Sequence, residues 1–172
     1  MKKISLVLMV MSAMTVTSGY ADDNSGELHF IGSVVDITCN IKVLVGGVPG
    51  NTIQLGSMNT DGTGTAAVNF SLASDNAVCL EKISANVGWQ SLLLTPEGLG
   101  NASGTATGVF IRLTAGNSAN TAITANNQNA AFSDPDGIRR FDFMAKLALS
   151  AGAVAATAGT VLATATYTVA YL

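Results

Sequence analysis

The last 26 residues of the chain, 147–172, carry no charge. A run of that length is long enough to cross a bilayer as a helix, which takes about 20 consecutive apolar residues. Its internal pattern points elsewhere. Five threonines interrupt it, and near its end Val161, Ala163, Ala165, Tyr167, Val169 and Tyr171 fall on one parity. Thr160, Leu162, Thr164, Thr166, Thr168, Ala170 and Leu172 fall on the other. Successive side chains of an extended chain point to opposite faces. The period of two therefore makes 160–172 a strand with one apolar face and one mostly hydroxylated face.

The same period recurs upstream, at Val68, Phe70 and Leu72, at Val109, Ile111 and Leu113, and at Phe141, Phe143, Ala145, Leu147 and Leu149. In the last run Asp142 and Lys146 take the opposite parity, as a half-buried strand requires. Turn-forming clusters separate the runs: residues 46–50 (GGVPG), 61–64 (DGTG), Asn126-Asn127 and 134–137 (DPDG). No stretch combines helical periodicity with caps over three turns. Seven or eight short strands with regular turn signals imply an all-β sandwich of immunoglobulin-like size, without an evident linker, repeat or second domain.

Composition narrows the function classes. Charged residues are 11% of the chain against a usual quarter or so, and apolar residues are 48%. Eight Lys+Arg against eleven Asp+Glu, net −3, leave no basic surface for a nucleic acid. Disorder needs the opposite balance of charge and hydrophobicity. His29, the one histidine, is too few for a histidine-based metal centre. No pair of catalytic groups stands at a meaningful spacing, so no enzyme, cofactor or metal is expected.

Residues 1–21 read as a cleaved export signal. Lys2 and Lys3 form a positive start, residues 4–16 are uncharged and mostly apolar, and Gly19-Tyr20-Ala21 puts small residues at the two positions a signal peptidase reads. Removing them leaves six basic and eleven acidic residues, a net charge of −5. In an oxidising compartment Cys39 and Cys79, an even pair without C-x-x-C spacing, read as one structural disulfide. It would close a loop of about 41 residues and contribute on the order of 4 kcal/mol through the unfolded state.

The segment after the signal is polar at Asp22 to Ser25 and then alternates weakly from Gly26 to Gly32. Two readings are open: a frayed terminus, or a detached strand that completes a sheet in another molecule. The segment GELHFIGSVVDITC, residues 26–39, resembles the amino-terminal segment of chaperone–usher fimbrial subunits, particularly the type 1 major pilins. The penultimate Tyr171, Gly159 fourteenth from the end, the cysteine spacing and the size after signal removal are similar to that family too, so the resemblance covers the whole chain.

The resemblance implies an incomplete immunoglobulin-like sandwich, residues 32–172, completed by a donor strand from another subunit. An apolar groove would lie along the last strand, lined by Val161, Ala163, Ala165, Tyr167, Val169 and Tyr171. Gly159 and that strand would also be read by a periplasmic chaperone, which fills the groove until the subunit reaches an outer-membrane usher. The amino-terminal extension of the next subunit, residues 22–31, would then replace the chaperone by donor-strand exchange, with Gly26, Leu28 and Phe30 on the inserted face. The partners implied are neighbouring pilin subunits, chaperone and usher, and the destination is a cell-surface fimbrium that supports adhesion.

Other residues have plainer readings. His29 lies opposite Leu28 and Phe30 in parity and faces solvent. Trp89 is a core or inter-sheet residue in preference to a sugar platform. Asp134 and Asp136 are turn residues, Arg139-Arg140 a solvated pair at a strand start, and Asn69-Phe-Ser71 and Asn101-Ala-Ser103 glycosylation triplets without weight in a bacterium. Two alternatives accompany the structural subunit: a minor adaptor or adhesive subunit binding a host glycan, and a small outer-membrane barrel. An adhesin would need an extra lectin domain, and a barrel would need aromatic girdles.

Overall fold

The computed structural model describes residues 39–172. The expected signal segment and the extension bearing Gly26, Leu28 and Phe30 lie outside the described residues. Ten strands and one short helix follow in chain order: β1 (Ile41–Val45), β2 (Val48–Pro49), β3 (Val68–Ser74), α1 (Ala77–Leu80), β4 (Ser84–Gln90), β5 (Leu99–Gly100), β6 (Val109–Ala115), β7 (Ala122–Ile123), β8 (Asn129–Ser133), β9 (Phe141–Leu149) and β10 (Thr166–Tyr171). They form two antiparallel sheets, one ordered β2-β1-β3-β9-β6-β5 with β7 also on β6, the other β10-β4-β8.

The strands exist where the alternation puts an apolar residue at every second position. Phe70 and Leu72 on β3, Ile111 and Leu113 on β6, and Phe141, Phe143, Ala145 and Leu147 on β9 face inward from the larger sheet. Ala85, Val87 and Trp89 on β4 with Ala130 and Phe132 on β8 face them from the smaller one. Phe143 is the hub. Its ring lies 5.1 Å from Trp89, 5.6 Å from Phe132 and 5.6 Å from Phe70, mostly edge-to-face, the arrangement that aromatic quadrupoles favour. Burial of each such side chain contributes about 1.5–3 kcal/mol.

Two local features differ from the sequence reading. A single helical turn, α1, follows β3; Asn76 caps it by accepting from the Val78 N–H, and it buries Cys79. One turn is too short to show a period. Cys79 pairs with Cys39 across 6.2 Å between Cα atoms, tying α1 to the start of β1. The second difference is in the last strand, which pairs with β4 only from Thr166 to Tyr171. Residues 160–165 are extended but outside any ladder, for a reason given below. The Gly46-Gly47 turn between β1 and β2 has φ of 60° and 83°, the left-handed values a two-residue hairpin loop needs. Among the described residues no helix is long and apolar enough to cross a membrane.

Candidate functional site

The two sheets do not close against each other along one side. A groove of about 1010 Å³ opens there. Its floor is core: Phe70 and Leu72, Trp89, Ile111 and Leu113, Ala145 and Leu147. One lip is residues 156–165, leading into β10; the other is the extended segment 51–58 between β2 and β3. None of the described residues that line the groove is charged.

Along the first lip Val161, Ala163, Ala165 and Tyr167 are half-buried and packed on the core, whereas Thr160, Leu162, Thr164 and Thr166 are exposed. Val169 and Tyr171 continue the inward set on β10, beyond the groove, with Tyr171 5.7 Å from Phe141. Burial pushes the Tyr171 hydroxyl above its ordinary value of 10.0. Gly159 is exposed at the start of the lip, where it passes so close to Thr105 and Ala106 that a Cβ would stand 2.6 Å from the Ala106 nitrogen. On the second lip Ile53, Leu55 and Met58 point inward. Gly56, at φ 71°, shifts the phase between Leu55 and Met58.

The backbone matters as much as the side chains. Thr160 and Leu162 turn their N–H and C=O groups away from the groove, toward the arm 101–108: Ala106 N–H donates to Thr160 O (3.0 Å) and Ala102 N–H to Leu162 O (2.7 Å). In an extended chain the intervening residues face the other way. Val161, Ala163 and Ala165 therefore present their amide groups to the groove, and among the described residues they have no backbone partner. The same holds for residues 52–58. A row of unpaired amides beside an apolar floor is what an added strand requires, and left open it is a template for aggregation.

Both ends of the groove are tied. At one, the Tyr167 hydroxyl donates to Ile41 O (3.4 Å); at the other, Ala156 N–H donates to Thr60 O (2.7 Å). The lip between them, roughly residues 158–165, spans about 26 Å at 3.3 Å per residue.

Candidate chemistry elsewhere is thin. No cluster of three metal-ligating side chains occurs among the described residues. Trp89 is 6% exposed, and its Nε1 has no hydrogen-bond partner among the described residues. Asp134 accepts from the Asp136 N–H within its turn, and Arg140 pairs with Asp142 at 3.1 Å. Lys42, bonded to Asp75, holds that carboxyl below its usual value at the surface. The second lip escaped the sequence reading because Gly56 breaks its alternation; Ile53 and Leu55 were its only signal.

No family model matches the chain. Among curated proteins it is similar to the F107 fimbrial protein of Escherichia coli, 32% identical over 112 residues. That match spans 63% of this chain and 65% of the relative's length. Among solved structures it is similar to the P pilus rod subunit PapA, with a TM-score of 0.55 at 15% identity, covering 86% of this chain and 100% of that one. A chaperone–usher pilus structure gives a TM-score of 0.54 at 19% identity, covering 93% of this chain and 100% of that one. At these identities the two structures speak for the fold.

Proposed function

We propose that this chain is a chaperone–usher fimbrial pilin, a structural subunit of a fimbrium that polymerises by donor-strand exchange. Its partners are neighbouring copies, a periplasmic chaperone and an outer-membrane usher, and the finished fibre stands on the cell surface and supports adhesion. The observation that carries the reading is the groove itself: two extended lips with unpaired amides on either side of an uncharged apolar floor.

The occupant is the amino-terminal extension of another copy, about residues 22–30. Nine residues at roughly 3.3 Å each reach about 30 Å, which matches the tied length of the groove. Gly26, Leu28 and Phe30 share one parity and enter the floor, while His29 stays outside. Burying Leu28 and Phe30 contributes about 3–6 kcal/mol, in addition to a new row of backbone hydrogen bonds. Before assembly the chaperone's strand lies against Val161, Ala163, Ala165, Tyr167, Val169 and Tyr171 and keeps the open edge from pairing at random. Gly159 marks where that strand begins.

Deleting residues 22–30 tests this directly. The shortened subunit is expected to be captured by its chaperone and to be absent from the boiling-sensitive multimer ladder that the intact chain forms on a detergent gel. Normal multimers from the deletion would refute donor-strand exchange.

A further inference from the structure

The lip 156–165 is held in place in an unusual way. At Thr160 and Leu162 its carbonyls accept from main-chain N–H groups of the arm 101–108, but its N–H groups there are met by side chains. Thr160 N–H donates to Thr105 Oγ1 (3.1 Å) and Leu162 N–H donates to Asn101 Oδ1 (2.9 Å). This substitution is why residues 160–165 form no ladder although they are extended. Asn101 does more than cap one amide. Its Nδ2 donates to Ala106 O (2.8 Å) and Thr160 O (3.1 Å), and its Oδ1 also accepts from Gly104 N–H (3.0 Å). All four bonding sites of the amide are used, two within the arm and two on the lip.

Two glycines let the arm and lip approach this closely. A Cβ on Gly104 would stand 2.0 Å from Thr160 O, and one on Gly159 would stand 2.5 Å from Thr105 Oγ1. Either would force the backbones apart.

The period of a strand is two, so a slip of one residue turns every side chain to the other face. On this lip such a slip would put Thr160, Leu162 and Thr164 into the groove and Val161, Ala163 and Ala165 into solvent. Main-chain pairing alone is weakly selective here, since Thr, Ala and Gly dominate both the lip and the arm. The register is read where the lip touches the arm: only a glycine fits at 159 against Thr105 and Ala106, and in that register Asn101 bonds Thr160 O and Leu162 N–H together.

We propose that Asn101 is the clamp of the groove: it holds the lip in the register that Gly159 allows, so that Val161, Ala163 and Ala165 offer their amides and side chains to an incoming strand. The inference rests on the donor-strand reading above and concerns how the acceptor is kept ready for it. Asn101 is a positioning residue, acting through Thr160 and Leu162 without touching the occupant's floor.

The test uses the full chain after signal removal, oxidised at Cys39–Cys79, with site-resolved amide exchange and the rate of multimer formation as readouts. N101A is expected to raise exchange at Leu162 and Gly104 by about tenfold, in line with the loss of one hydrogen bond at each amide, and to slow multimer formation by about tenfold. Protection at Val87 and Phe143 stays as in the parent. N101D retains the two accepting contacts, from Gly104 and Leu162 N–H, and loses the two donated to the Ala106 and Thr160 carbonyls, so exchange at Leu162 and Gly104 is expected to rise less than in N101A. G104A would put a Cβ 2.0 Å from Thr160 O and 2.5 Å from Asn101 Oδ1, opening the clamp from the arm side, and is expected to slow assembly similarly. Parent-like exchange at Leu162 and parent-like assembly in N101A would overturn the proposal, as would a G104A variant that assembles at the parent's rate should N101A not fold. An intact chain that forms no multimers would count against the fimbrial reading alone, because exchange at Leu162 still reads the clamp.

Discussion

Replacing Ala163 with leucine puts three further carbons on the inward face of the lip, midway along the groove. The groove offers space and no charge, so the new side chain can settle on the floor near Ala145 and Ile111. A fully buried methylene contributes about 0.8 kcal/mol, and the lip residues are half-buried, so the gain is about 1 kcal/mol for the isolated subunit. For a domain of this size that raises the melting temperature by about 2–4 °C. On the donor-strand proposal, the same leucine occupies room that one donor side chain needs. Losing burial of one apolar anchor costs about 1.5–3 kcal/mol, or roughly 10- to 100-fold in affinity for the donor.

Trp89 supplies the assay. It is the one tryptophan of the chain and lies in the floor, 5.8 Å from Tyr167 on the lip. A peptide with the sequence of residues 22–31 is titrated into the A163L and parent chains while Trp89 emission is followed, and melting is recorded alongside. The expected pair of results is a higher melting temperature with weaker peptide binding. Higher stability with unchanged binding would place the occupant elsewhere, and an unchanged melting temperature with unchanged binding would mean that Ala163 does not face the groove.

Two further outcomes test other parts of the molecule. Replacing Cys39 and Cys79 together with alanine reopens a loop with a sequence separation of 40 and is expected to cost about 4 kcal/mol, lowering the urea midpoint by about 2 M; an unchanged midpoint would contradict this. Tyr171 gives an alkaline signature: its folded-state pKa lies above the ordinary 10.0 because burial disfavours the phenolate, so its contribution is complete below pH 10 and is lost as pH rises through the folded value. Y171F is expected to lessen the fall in melting temperature above pH 10, and an identical fall in both chains would refute that assignment.

Much of the fold is legible in the sequence because a strand's period is short and local. Phe70 and Leu72, Ile111 and Leu113, and the inward residues of β9 each declare their face within five residues, and so does the run from Val161 to Tyr171. The pairing of Cys39 with Cys79 follows from there being two cysteines in a chain whose first residues read as an export signal. What is not legible depends on contacts between distant segments. Ile53, Leu55 and Met58 become a lip only because the chain crosses back over the larger sheet, and Gly56 hides their phase. Asn101 stands in a loop whose triplet reads as a surface motif. Its task is set by Thr160 and Leu162, about sixty positions away, which no local pattern encodes. The strand expected over 160–172 loses its ladder in the first half for the same reason. The extension with Gly26, Leu28 and Phe30 lies outside the described residues, so its part in the site is the proposal made above.

The ties at the two ends of the groove have a consequence for a long polymer. With Tyr167 bound to Ile41 at one end and Ala156 to Thr60 at the other, the space between behaves as a gauge of fixed length. An occupant can neither slide further in nor settle short without leaving amides unmet. Under the donor-strand proposal, each joint of the fibre then takes up the same length of chain as the one before.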